Sequence, residues 1–195
     1  MMRYLLFIFV LVCFDFQLSL AQTFNFNTYD SSIGLPQNYV YSVQQDYNGF
    51  IWIATAEGIS RYDGVHFKNY SERDSLAENF ARVIYVDQSQ KHIVFGHNHG
   101  CLTVYDNKKF QRILIDDANA PIRGICSGTN GSIWAVEQNN GLISIGADNK
   151  VVTFFDRKKF GRQIYTAVQS LPSNKLLVGT ADGLNIVELS GTGEP

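Results

Sequence analysis

Three features of the sequence predict an all-β fold made of repeated sheets. Short apolar runs separated by Gly, Asn, Asp and Ser fill the chain, too closely spaced for helices. Phe and Tyr, 14 and 10 of the 195 residues, are strand-favouring types, and many fall within those runs. A turn glycine recurs at positions 58, 100, 141 and 183, intervals of 42, 41 and 42 residues. Four antiparallel strands per interval of that length is the period of a propeller blade, whereas a β-sandwich has no reason to keep the interval constant. The expected fold is all-β: a β-propeller of about four blades, each of four antiparallel strands, incomplete because the fourth blade lacks its outer strand.

The first 21 residues stand apart. Arg3 gives a short positive start, residues 5–14 are apolar, and Ser19-Leu20-Ala21 puts small residues before a cleavage point ahead of Gln22. This reads as a signal peptide, because Asp15 ends the run well short of the about 20 apolar residues a spanning helix needs. Cys13 does not make it a lipoprotein signal, since Val12 before it is not small. Residues 22–195 then form the exported domain. Within it, residues 23–29 read as an extra closing strand, which would complete the fourth blade in a ring of four. The alternative is a fragment of a longer protein, with further blades beyond this chain. An open array exposes apolar faces and strand edges, which favours the fragment.

The blades are expected at about 39–71, 80–115, 122–155 and 164–189. Their first runs are 39–44, 81–86, 122–127 and 164–169. The second runs, 50–54, 92–95, 133–136 and 176–178, are apolar at almost every position, as strands covered on both sides by neighbouring blades must be. Third runs follow each turn glycine. Fourth runs at 65–70, 110–115 and 151–155 are more mixed, and Val65-His66-Phe67-Lys68 alternates like a half-exposed outer strand. Asp63-Gly64 between the third and fourth runs of the first blade is a strong hairpin signal.

A net charge of −2 carries no electrostatic footprint for nucleic acid. The mature chain keeps Cys101 and Cys126, both inside apolar runs, where a thiol acts as a small hydrophobe; they are expected to be free. Trp52 and Trp134 sit in the most apolar strands and read as blade core rather than sugar platforms. Arg61 and the basic run 157–159 read as surface positions. No nucleophile–base pair, paired carboxylates or phosphate-cradling glycine loop is present, so no catalytic residue is assigned.

Loops joining strands two to three and four to one share one face of a propeller, and loops on a rigid scaffold are where binding residues collect. Glu57, His97, His99, Asn139, Asn140 and Asp182 lie on that face and are the candidates for hydrogen-bonding a polar ligand, against the ordinary reading of solvated loops. His97 and His99 alternate and so point the same way, but spacing supplies no third ligand; neither a metal nor a cofactor is expected.

The first blade resembles the two-component regulator propeller repeat. The resemblance rests on Gly34-Leu35-Pro36, Asp46 with Gly49, Ile51-Trp52-Ile53-Ala54-Thr55, Gly58-Ile59, Arg61-Tyr62-Asp63-Gly64 and Phe67, with Ala54 where Gly is usual. The fourth blade keeps Val178-Gly179-Thr180 and Gly183-Leu184, and the middle two depart further. The resemblance implies an extracytoplasmic, periplasmic sensor region, non-catalytic itself, whose full-length parent is anchored in the inner membrane and carries a histidine kinase or another output. It implies an oligosaccharide or other polar small ligand, signalling through propeller packing or homodimer contacts; the net charge, separately, argues against a nucleic-acid partner for this region. Two other classes stay open: a secreted glycan-active propeller enzyme, which needs acidic, Tyr or His residues converging on the channel, and a stand-alone protein-interaction propeller.

Overall fold

A computed structural model describes residues 25–89, 91–116, 118–129, 131–154 and 164–189. The signal peptide, the start of the 23–29 segment and the basic run 157–159 lie outside the described residues. Every strand pairs only with its neighbours in sequence, so each sheet is a simple antiparallel meander. The first sheet holds β1 (Val40–Gln45), β2 (Ile51–Thr55), β3 (Gly58–Tyr62) and β4 (Phe67–Tyr70). The second holds β5 (Ala81–Asp87), β6 (His92–His97), β7 (Leu102–Tyr105) and β8 (Phe110–Ile113). The third holds β9 (Ile122–Ser127), β10 (Ile133–Glu137), β11 (Gly141–Ile145) and β12 (Val151–Phe154). The fourth has three described strands, β13 (Tyr165–Leu171), β14 (Lys175–Thr180) and β15 (Gly183–Glu188).

These sheets are propeller blades set side by side, and the array is not closed. Their first strands touch in succession, β1 with β5, β5 with β9 and β9 with β13, so those strands are innermost. The core lies between blades, as the strand period of two requires. Along β6, Ile93 and Phe95 join Trp52, Ala54 and Ile59 of blade one, while Val94 between them joins Ile133, Ala135 and Ile143 of blade three. Along β10, Trp134 and Val136 instead face Val168, Leu176 and Val178 of blade four. β6 and β10 therefore read as continuous apolar runs because they are covered on both faces. Among the described residues, blades one and four each have one uncovered side, where Val43, Leu184 and Ile186 are exposed.

Segment 23–29 differs from its expectation as a closing strand: its described part, residues 25–29, forms no strand. Tyr29 packs its ring on Tyr62 and Phe67 of blade one, at centroid distances of 5.4 and 5.8 Å. A 3-10 turn at Ser31–Ile33 follows, capped by Asp30.

The turns repeat the same chemistry. Asp63 and Asp106 each accept the backbone N–H groups two and three positions on, and Asp148 accepts that of Lys150, two positions on. Those bonds hold all three carboxyls below the usual range. The next residue is left-handed in each: Gly64, Asn107 and Asn149 at φ 101°, 72° and 64°. Asp46, buried, closes the β1–β2 turn by accepting from the N–H of Asn48 and Phe50, and its other oxygen accepts the Trp52 indole N–H at 2.8 Å.

Inner strands approach closely where glycine permits it. A Cβ on Gly124 of β9 would sit 2.9 Å from the Val168 backbone nitrogen of β13. The obstacle is backbone, so Gly124→Val must push two blades apart. It is expected to cost about 1–3 kcal/mol in chemical denaturation, as overpacked cores do. An unchanged midpoint would show that the blades are not in this contact.

Candidate functional site

The end of each blade that carries the β2–β3-type turn is built on one repeated position, three or four residues before the turn glycine. Thr55 in blade one donates its hydroxyl to the Gly58 carbonyl at 2.8 Å, and Thr180 in blade four donates to Gly183 at 3.0 Å. Glu137 in blade three is wholly buried and accepts from four backbone N–H groups, those of Asn119, Ala120, Asn139 and Asn140. One carboxylate thus ties the β8–β9 loop to the β10–β11 turn.

His97 does this work in blade two. It is fully buried, so it does not stand on the loop surface as a ligand-binding side chain, contrary to the sequence reading. The Phe80 carbonyl facing Nδ1 can only accept, so in the neutral ring Nε2 is the acceptor and takes the hydroxyl proton of Thr103, 2.7 Å away, whose Oγ1 accepts the Ala77 N–H. Nδ1 then carries the ring proton and donates to the Phe80 carbonyl at 3.3 Å. Burial pushes the imidazole pKa down to about 4 from 6.5. As pH falls the unfolded chain protonates first, so stability present above about pH 6.5 is lost between there and pH 4, by about 3 kcal/mol in all. Denaturation midpoints measured from pH 7.5 to 4 should show a steeper decline for the wild type than for His97→Gln; equal slopes would refute the assignment.

The other expected residues are spread along the face. Glu57 and Asp182 are exposed in their turns, and the Glu57 N–H donates to Thr55 Oγ1. Asn139 and Asn140 are half-buried, and the structure uses their backbone N–H groups on Glu137. His99 is exposed and its Nδ1 lies 2.7 Å from Glu78 Oε1, whose partner oxygen accepts the His99 backbone N–H. His97 points inward and His99 outward, and among the described residues no group of three His, Cys, Asp or Glu side chains is placed to hold a metal. Cys101 and Cys126 are free thiols, and burial lifts both pKa values to about 12.

Residues not singled out in the sequence are brought together beside these turns. Each innermost strand carries a β-bulge near its start, inserting Tyr41, Arg82, Arg123 and Thr166 at equivalent places in the four blades. A bulge re-aims the extra side chain off the sheet faces. Arg82 lies over the rings of Tyr41 and Phe80, 5.0 and 4.8 Å from their centroids, and its Nε donates to Asn98 Oδ1 at 2.6 Å. Arg123 repeats this one blade on, donating Nε and Nη2 to Gln138 Oε1. Tyr39, exposed, packs on Tyr41 at 4.7 Å, and Tyr41 on Phe80 at 4.9 Å. Aligning the four repeats places these residues in one column of the sequence, and a glycine stands beside or opposite the bulge in three blades, Gly96, Gly124 and Gly179.

Residues 34–57 match the family model described as two component regulator propeller. No curated protein is similar enough to count as a relative. Among solved structures, the chain resembles the extracellular domain named for the hybrid two component system BT3049 of B. thetaiotaomicron, with 23% identity and a TM-score of 0.70, covering 87% of this chain and 24% of that one. A second B. thetaiotaomicron extracellular domain, named for the one component system BT4673, aligns at 18% identity and a TM-score of 0.68 over 83% of this chain and 21% of that one. PorZ of Porphyromonas gingivalis, a surface component of the type-IX secretion system, aligns at 13% identity and a TM-score of 0.58, over 87% of this chain and 28% of that one. The chain thus spans about a quarter of the length of these structures, and identities this low concern the fold. The protein is a propeller-type β-chain in which residues 34–57, leading into and through β1 and β2 of the first blade, match the two component regulator propeller model.

Proposed function

We propose that this chain is part of the extracytoplasmic, ligand-sensing propeller of a two-component sensor and is itself non-catalytic. The observation that carries this reading is the family match of residues 34–57 in the first blade. The fold it shares with extracellular domains of two component systems supports it. The ligand is an oligosaccharide or another polar small molecule, held at the face where the turns are pinned by Thr55, His97, Glu137 and Thr180. Three of those anchors, Thr55, His97 and Glu137, are buried and hold their turns, so binding on that face loses little conformational entropy. Among the described residues no helix is long and apolar enough to cross a membrane, and export to the periplasm rests on the N-terminal signal reading. The signal passes to the rest of the sensor through propeller packing or homodimer contacts.

The test is calorimetric titration of the exported full-length protein with a panel of neutral and acidic oligosaccharides, run beside an assay for glycan breakdown. Saturable binding without turnover supports the sensor. Turnover would give the secreted-enzyme reading instead, and absence of binding across the panel would favour a protein-interaction propeller.

A further inference from the structure

We propose that Arg82 and Arg123 form an oxyanion subsite that selects acidic carbohydrate, bearing a carboxylate or a sulfate, with the exposed ring of Tyr39 as the platform for the sugar ring. This inference rests on the ligand-sensing reading and narrows its ligand class.

Four observations converge on it. The two arginines occupy the same bulge position on adjacent innermost strands, β5 and β9, which touch each other. Each is oriented by a side-chain amide from the residue after the buried anchor, Asn98 after His97 and Gln138 after Glu137. Those amide-bearing residues are themselves fixed by backbone bonds to the strand entry, Asn98 N–H to the Phe80 carbonyl at 3.0 Å and Gln138 N–H to the Pro121 carbonyl at 2.9 Å. Finally, neither guanidinium forms an ion pair among the described residues, where the ion pairs involve His66, His99, Lys150 and Lys175.

Structural arginines are usually neutralised by a carboxylate. These two are aimed by neutral amide oxygens, and Arg82 also by the faces of Tyr41 and Phe80, so among the described residues no carboxylate neutralises either. The guanidinium fork matches a carboxylate or sulfate in plane and can bind it through two parallel hydrogen bonds. Beside Arg82 the ladder Tyr39, Tyr41 and Phe80 supplies aromatic faces, with Tyr39 exposed at its outer end. An apolar face next to a fixed cation fits a ligand with a ring and an acidic substituent better than a bare anion. Blades one and four carry Tyr41 and Thr166 at the bulge, so the charge is confined to the middle blades.

The test is titration calorimetry of the full-length protein with three oligosaccharide sets: neutral, uronate-containing and sulfated. The expected result is saturable binding of an acidic set, weakened about tenfold or more by Arg123→Gln, whose side chain is exposed and whose loss should leave the melting temperature unchanged. Tyr39→Ala should weaken it as well, and Arg82→Lys should retain part of the affinity. Whether the uronate or the sulfated set binds identifies the source of the oxyanion. Binding of a neutral set that Arg123→Gln leaves unchanged would overturn the subsite while the sensor reading stands. Binding of no set would overturn both.

Discussion

Trp52→Ala is expected to lower the unfolding free energy by about 4 kcal/mol, the range for truncating a fully buried large aromatic. Trp52 is inaccessible to solvent and forms the wall of the core between blades one and two, stacked on Tyr70 at 5.7 Å and tilted against Phe95 and Tyr105 at 5.4 and 5.2 Å. Its indole N–H also satisfies the buried Asp46 carboxylate. Truncation therefore opens a cavity and removes a donor from a buried acid in one step. Trp52→Phe separates the two effects: it keeps most of the ring volume and loses the hydrogen bond, so it should cost about 1–2 kcal/mol. Guanidinium denaturation of the two variants gives both numbers. Equal costs would mean that the hydrogen bond, rather than the inter-blade packing, dominates.

Glu137→Ala should be nearly as damaging, by about 3 kcal/mol or more, because it strands four backbone donors next to the core. The Ala120 N–H bond, 2.6 Å long, is buried, and those of Asn139 and Asn140 are partly so. Glu137→Gln keeps one accepting oxygen but turns an NH2 toward two of the four donors, so its cost should fall between wild type and Glu137→Ala. Hydrogen exchange at Asn119, Ala120, Asn139 and Asn140 should accelerate in both variants, with remote strands such as β2 unaffected in Glu137→Gln. Exchange unchanged at those four amides would show that the carboxylate is not their partner.

The propeller class was legible because it is written in periodic features. Turn glycines 42, 41 and 42 residues apart each mark one sheet, and left-handed Gly64, Asn107 and Asn149 follow an Asp at corresponding turns. Continuous apolar second strands signalled burial on both faces, and Trp52 and Trp134 are indeed core. The site was less legible. His97 reads as a polar turn residue, yet it ends β6 in the inward-facing place that Thr55 and Glu137 fill in their own blades. Chemically unlike residues share that place because each needs only to hold a turn, so composition gives no warning. Arg82 and Arg123 escaped notice for a different reason. Counting alternation along a strand assigns them to a sheet face, whereas the bulge removes them from it. Segment 23–29 has strand-like residues but follows aromatic packing on Tyr62 and Phe67 in its described part, a choice set by tertiary contact rather than propensity.

The central claim is that each interval of 41–42 residues is one blade, joined to the next through its innermost strand. Native-state hydrogen exchange across the exported chain tests it most directly. Protection should peak in β2, β6 and β10, fall in the outer strands β4 and β8, and drop to fast exchange at the turns after Asp63, Asp106 and Asp148, repeating with the sequence period. A protection map without that period, or one in which the outer strands exchange as slowly as β6, would contradict the blade assignment.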